Sequence, residues 1–564
     1  MLFCFRIFII FFSAILMFFN RECWFKKLGI AFKYLICYFS HNMPKMRLVL
    51  VMLLLLSACT PEHPTTLKPV CPDCNVVLVV IDTLRARDLG CYGYELNTSP
   101  FIDTLAKDAV VFENAFSQAT ITFASHFSMF TSTYPSCSGM KMMGRDVLPE
   151  YVLTMPQVLK QHNYTNLWAA IKGDPQLPIE AGLGWGFDYY FGRNWSVTEQ
   201  WLRMHPNKKF FVFFHTYKVH APYTPKLSTL QRLKELGAPI NLSDSRMAYN
   251  ESNVTIRLAY SVVTNKTFMR RYLSDKEYSA YLKLGLDNMS VKDALNGFLG
   301  FVNTTLANNT ELFMKSRSII NYGRYNSFFG QYNLSNANDL QILRWLYDAE
   351  ILEVDEMVSE LVDMLKDIGA YNHTIIVITA DHGEEFGEHR HYQHWFIHDE
   401  TTHVPLIIRI PGIKPRRVAA KVENLDIMPT VLNAVGAQPP PTVQGKNLLP
   451  FLLNISQISD REVFSEQYDM ASIRTSNWRF TYNGVGKRNI LDEIVPEYEL
   501  LRITQNDDSP QNLIGLNHEI ASMLNRTLSN WVSRNLACAT PTHSDWWLKV
   551  DNATKERILK TGYW

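Results

Sequence analysis

Asn75-Val76-Val77-Leu78-Val79-Val80-Ile81-Asp82-Thr83-Leu84-Arg85 is apolar at six successive positions and then turns abruptly acidic. A run that is apolar everywhere, rather than at alternate positions, reads as a strand buried on both faces, the signature of a parallel sheet covered by helices. Ligands of open α/β sheets sit beyond the carboxyl ends of such strands, where Asp82 stands. Thr374-Ile375-Ile376-Val377-Ile378-Thr379-Ala380-Asp381-His382-Gly383-Glu384 repeats the design, and Phe210-Phe211-Val212-Phe213-Phe214-His215 supplies another buried strand. Between these runs strand and amphipathic-helix patterns alternate, which implies right-handed crossovers and an α/β fold with a mostly parallel central sheet flanked by helices.

Two carboxylates and an imidazole at strand tips, Asp82, Asp381 and His382, form a hard oxygen and nitrogen set suited to a divalent cation. Ala119-Thr120-Ile121-Thr122-Phe123-Ala124-Ser125-His126 opens a further apolar helical pattern with hydroxyl residues. Taken alone this is an N-capping cluster. Beside the strand-tip residues it is also a candidate nucleophile at a helix N-terminus, where free N–H groups favour an anionic oxygen.

Asp82-Thr-Leu-Arg85, Cys91-Tyr-Gly-Tyr94, Thr98-Ser-Pro with Ile102-Asp103, the hydroxyl segment ending Tyr134-Pro135, and Asp381-His-Gly-Glu384 occur in this order. The series resembles the sulfatase family of the alkaline phosphatase superfamily, from about residue 75 to 450 with a weaker tail. The resemblance implies an alkaline-phosphatase-like sheet, with a small C-terminal antiparallel sheet plus helix in the segments around Ile473 and Trp478 and after Asn517. Counting back from Tyr134-Pro135 places Thr122 at the position of the Cys or Ser that sulfatases oxidise to formylglycine, with His126 at the family's arginine. Threonine cannot become formylglycine. A Thr nucleophile with Asp and His ligands is similar to the phosphodiesterase and phosphotransferase branches. Thr83 and His382 also stand where sulfatases usually carry Asp and Asn.

The resemblance further implies one divalent metal ion (Ca, Mn or Zn) held by Asp82, Thr122, Asp381 and His382. Coordination would lower the hydroxyl pKa of Thr122 for attack on phosphorus or sulfur, giving a covalent ester that water cleaves. His220, in His-Ala-Pro-Tyr-Thr-Pro, and His394, at the position of an active-site lysine, are candidate proton donors, with His126 as helper. His215, inside its strand, reads as a core histidine. Lys172 lies one position off the family's substrate lysine and reads first as a surface lysine, with substrate binding as the alternative. Two carboxylates cancel the cation, so a monoanionic ester is expected, a phosphodiester ahead of a sulfate ester. The alternatives are a sulfuric ester hydrolase, an envelope phosphotransferase, and a non-catalytic protein that binds an envelope glycan.

The 564 residues carry 55 Lys and Arg against 54 Asp and Glu. That balance argues against a nucleic-acid partner. Met43-Pro-Lys-Met-Arg47, the apolar Leu48–Leu56 and Leu56-Ser-Ala-Cys59 have the layout of a signal peptide ending in a lipidated cysteine. Residues 1–59 are therefore expected to be a leader, with 1–42 upstream of the true start or, alternatively, a first apolar segment of a two-segment anchor, and Cys59 to be lipidated. The protein would then be anchored to a bacterial membrane through lipid and face the periplasm or exterior, with an envelope glycan or lipid ester as substrate. Residues 60–74 form a tether, 75–450 the catalytic domain with an insertion at 226–340, and 451–564 a C-terminal α+β subdomain. Cys71 and Cys74 are expected to form a local disulfide, while Cys91, Cys137 and Cys538 are too scattered to assign. The acids of the helix expected over Ile342–Ile368 read as a solvated face or local ion pairs. The loop from His389 to His403 reads either as a source of ligands or as a mobile histidine-rich lid.

Overall fold

A computed structural model describes residues 68–538 apart from 142–145, 171–175, 193–194, 245–259, 261–262, 302–327, 330, 489–492 and 504–510. The leader, Cys59 and Lys172 thus lie outside the described residues. The strands in chain order are β1 (Asn75–Ile81), β2 (Val110–Phe116), β3 (Thr165–Ala169), β4 (Tyr189–Tyr190), β5 (Phe210–Thr216), β6 (Thr374–Thr379), β7 (Glu385–Phe386), β8 (Tyr392–Gln393), β9 (His403–Arg409), β10 (Arg416–Glu423), β11 (Val463–Gln467), β12 (Met470–Arg474), β13 (Trp478–Tyr482) and β14 (Tyr498–Arg502). The helices that matter below are α1 (Pro100–Ala106), α2 (Thr122–Thr131), α3 (Met155–Gln161), α4 (Leu227–Glu235), α5 (Ala337–Asp367), α6 (Ile427–Ala434) and α7 (His518–Cys538).

Eight strands form one sheet in the order β10-β2-β9-β6-β1-β5-β3-β4. Within it β9 runs antiparallel to both its neighbours, β6 and β2, and every other pairing is parallel. The fully apolar β1 run explains its place near the centre, because both faces must be covered. Val76, Leu78 and Val80 enter one core with Phe123, Phe127 and Phe130 of α2. Val77, Val79 and Ile81 enter the other with Leu343, Leu346 and Val354 of α5. Alternate side chains of a strand point to opposite faces, so one uninterrupted apolar run serves two helical layers.

The helix α5 starts at residue 337, ahead of the expected start at 342, because the Asn336 side chain accepts from the N–H groups of Asn338 and Asp339 and caps it. Glu356 and Asp363 are exposed and ion-paired as expected, with Arg232 and Lys366, but the acids of the inner face are not solvated. Asp348, Glu350, Glu353 and Asp355 are buried. Asp355 accepts from the N–H groups of Phe101 and Ile102 at the start of α1, Glu350 from Thr224 N–H, and Glu353 from Lys226 N–H. These acceptors satisfy backbone donors of segments distant in sequence. Of the 226–340 segment the structure describes α4 and the helices Lys266–Tyr272, Asp275–Leu282 and Val291–Phe301.

The antiparallel sheet β11-β12-β13-β14 packs Ala471, Ile473, Phe480 and Leu500 against Leu524, Leu528 and Trp531 of α7. Cys71 pairs with Cys74 as expected, and Cys137 pairs with Cys538 across 401 positions of sequence. Among the described residues no helix is long and apolar enough to cross a membrane.

Candidate functional site

Because β1, β5 and β6 are parallel, their carboxyl ends open on one edge of the sheet. Asp82 follows β1 and Asp381 and His382 follow β6, while α2 starts with Thr122 facing them. The Thr122 Oγ1 lies 3.2 Å from Asp82 Oδ2 and 3.5 Å from His382 Nε2. Ile121 ahead of it is extended, and Thr122 is the first helical residue, 3% exposed. Three residues of the set, Asp82, Asp381 and His382, each offer a ligand atom within 4.8 Å of the others.

Backbone donors fix the second carboxylate. Asp381 Oδ1 accepts from the N–H groups of His382 at 2.9 Å and Thr83 at 3.3 Å. Its carbonyl accepts from Ser125 Oγ at 2.6 Å and from Ser117 Oγ. Its Oδ2 is buried with no hydrogen-bond partner among the described residues. An ionised oxygen left so would cost several kcal/mol, and a cation is the chemistry that relieves it. Burial works against ionisation of Asp381, but contact with His382, His126 and His215 and the His382 N–H keep it at about 2. Burial also holds His382 and His126 below the usual imidazole range, neutral and able to ligate near pH 7.

Thr83, at the place of a family aspartate, is not a ligand. It sits in the left-handed region at φ 57°, and its hydroxyl bonds the carbonyls of Asp82 and Val219 at 2.8 and 2.7 Å. It thereby ties the β1 tip to the loop that carries His220. Gly383 is required by close approach, since an added Cβ would lie 2.1 Å from the Glu400 carbonyl oxygen.

His220 and His394 meet over this floor, with ring centroids 5.2 Å apart, and His394 lies 4.4 Å from the His382 ring. The structure adds Glu384, whose Oε1 is 3.2 Å from His394 Nδ1 and whose Oε2 accepts from Tyr223 at 3.3 Å. Burial lifts Glu384 to about 7, whereas burial lowers His394 to about 4 and His220, beside His394, to about 3. The histidine loop is not an exposed lid, for His391, His394 and His398 are all buried.

His126 donates Nδ1–H to the Thr122 carbonyl at 2.8 Å, and its ring packs against that of His215 at 4.9 Å. His215 is more than a core residue, because its Nε2 lies 3.5 Å from Asp82 Oδ2. Its register opposite Val80 puts it on the face of the sheet that Asp82 shares, two residues below the β1 tip, and that position was the available signal. His126, His215 and Asp381 form a second set of ligand atoms within 4.8 Å of one another. Arg85, close in sequence, is committed to Asp88, Glu388 and the Glu384 carbonyl.

The family model described as Sulfatase matches residues 74–201 and 196–437, and that described as N-sulphoglucosamine sulphohydrolase, C-terminal, matches residues 387–515. An N-acetylglucosamine-6-O-sulfatase of Bacteroides thetaiotaomicron is 23% identical over 451 residues, covering 73% of this chain and 76% of its own. The ulvan-active sulfatase of Formosa agariphila is 23% identical over 482 residues, 81% of each chain. A solved structure in complex with its substrate D-glucosamine-2-N,6-O-disulfate shares the fold with a TM-score of 0.56 at 19% identity, covering 83% of this chain and 98% of that one. The phosphonate monoester hydrolase of Silicibacter pomeroyi does so with a TM-score of 0.52 at 20% identity, covering 82% and 96%. The five ordered motifs, the sheet that gathers them and the match over most of the chain agree: this chain belongs to the sulfatase family and is a hydrolase of ester bonds.

Proposed function

We propose that the chain is a metal-dependent hydrolase of monoanionic esters with Thr122 as nucleophile, and that it favours a phosphodiester. The observation that carries this reading is the Thr122 hydroxyl at the start of α2, within hydrogen-bond reach of Asp82 and His382. Asp82, Asp381, His382 and the Thr122 oxygen would hold one divalent cation. The donor chemistry and the orphaned Asp381 Oδ2 fit such an ion, which when bound supplies a lowered hydroxyl pKa and polarises the ester. Asp82 Oδ2 is placed to take the Thr122 proton as the hydroxyl attacks. Proton return to the leaving oxygen falls to the His394–Glu384 pair, with Glu384 as reservoir; neutral His220 spends its one N–H on the Ala221 carbonyl at 2.6 Å and has no proton to offer the ester. One dication and two carboxylates leave the floor without net charge, which suits a monoanion.

A second reading, cleavage of a sulfate ester on a sugar, is favoured by the names of the curated relatives. The test is turnover of aryl phosphodiester, aryl phosphomonoester and aryl sulfate by a form starting at residue 60, with Thr122→Ala beside it. Preferential, Thr122-dependent diester cleavage supports the first reading. Thr122-dependent sulfate cleavage replaces it with the second, and turnover retained in Thr122→Ala overturns the nucleophile. The reading extends to place: an exported protein held at a bacterial membrane by lipid on Cys59. The two disulfides among the described residues are consistent with an oxidising compartment, and palmitate labelling lost in Cys59→Ser would check it.

A further inference from the structure

We propose that Trp395 is the specificity-determining residue for the leaving group, a platform at the mouth of the site that takes a flat apolar face such as an aryl ring. This rests on the monoanionic-ester reading above and names the part of the ester that reading leaves open. Trp395 is the one exposed tryptophan among the described residues, although its neighbours His394 and Phe396 are both buried.

A ladder of rings leads from the floor of the site to this side chain. The His394 ring lies 4.4 Å from that of His382, and the Trp395 ring follows 6.0 Å from His394, inclined to it by only 21°. Exposure rises along the same path, from 0% at His382 to 8% at His394 and 38% at Trp395. Trp395 therefore marks where the site opens. The leaving oxygen takes its proton at the His394–Glu384 pair in the mechanism above, so the group carried on that oxygen extends past His394 toward the indole. An aryl ring there completes an offset stack, in which ring centroids lie about 4.5–7 Å apart.

The indole is held in place before any ligand arrives. Its Nε1–H donates to Gln393 Oε1 at 2.8 Å, so its polar edge is turned back into the loop and the surface left in water is hydrocarbon. Gln393 is itself left-handed at φ 66°, as are His389 at 51° and Arg390 at 61°, three non-glycine residues within five positions. Backbone of that kind is strained and persists only where packing imposes it. The pairing of β7 with β8 and the burial of Phe396 and Ile397 against Met470 and Val495 supply that packing. A ring fixed in advance loses little side-chain entropy when a ligand stacks on it.

The test is calorimetric titration of the manganese-loaded Thr122→Ala protein, which lacks the proposed nucleophile, with phenyl methylphosphonate and ethyl methylphosphonate. These two monoanions differ only in the leaving group. The same titrations are then run with Trp395→Ala or Trp395→Phe added, each checked for folding by circular dichroism. The phenyl ester is expected to bind about 10-fold tighter than the ethyl ester, and Trp395→Ala to lower that ratio by at least about threefold, while Trp395→Phe keeps most of it. A ratio that Trp395→Ala changes by less than about threefold overturns the platform and leaves the monoanion reading standing. Equal weakening of both esters, the mark of a displaced loop, overturns it in the same way. Binding of neither ester overturns the monoanion reading itself.

Discussion

Gly383 carries a prediction that needs no ligand. Its Cβ would meet the Glu400 carbonyl oxygen at 2.1 Å, a backbone atom that cannot swing aside. Gly383→Ala should cost about 2–4 kcal/mol, measured by urea unfolding, and should displace His382 enough to weaken turnover as well. An unchanged midpoint would show that the β6 tip has slack. Asp82 and Asp381 at the tips of β1 and β6 were legible because each of those strands ends an apolar run in a carboxylate. His215 was not, because it lies inside its run, where a histidine is usually a satisfied core residue. Only the pairing of Val80 with His215 sets it beside the β1 tip, where its Nε2 comes within 3.5 Å of Asp82. Glu384 was visible as part of a motif, but its partnership with His394 depends on the fold of the β7–β8 turn.

At the scale of elements, α5 orients its neighbours through buried acids. Asp355 accepts two backbone N–H groups of α1, and burial raises it to about 6. Asp355→Ala leaves both donors without their acceptor and should lower stability by about 1–3 kcal/mol. Helical periodicity marks which positions share a face, but an acid partnered by backbone of a distant segment has the same pattern as a solvated one. The buried acids of α5, Asp348, Glu350, Glu353 and Asp355, therefore depart from the expectation, while exposed Glu356 meets it.

His403 at the start of β9 gives a pH prediction. Its Nε2 donates to the Glu113 carbonyl at 2.8 Å, its ring stacks on Phe116, and burial lowers it to about 4. The unfolded chain protonates this histidine below about 6.5, whereas the folded protein does so only near 4. Stability is therefore lost as pH falls through that window, by up to about 3 kcal/mol. His403→Gln, which can still donate to Glu113, should lose correspondingly less stability between pH 6.5 and 4. Parallel curves for the two proteins would remove His403 from the acid response.

For the whole molecule, the Cys137–Cys538 disulfide closes a loop of 401 positions and ties the segment after α2 to the end of α7. Cys538→Ser should cost up to about 6 kcal/mol on the chain-entropy estimate, seen as a Tm below that of the oxidised wild type. Sequence alone could not pair these cysteines, since only the docking of α7 brings them together. The α/β class and the antiparallel closing sheet were legible from the run of patterns and the resemblance, because both rest on local periodicity.

The measurement that bears most directly on the central claim is turnover of an aryl phosphodiester by wild type and Thr122→Ala at saturating manganese or zinc, with aryl sulfate run in parallel. Loss of at least about 1,000-fold in the variant, with diester preferred over sulfate in the wild type, is the expected result. Rates within about threefold of each other would contradict it, because the hydroxyl at the head of α2 would then not be the attacking group.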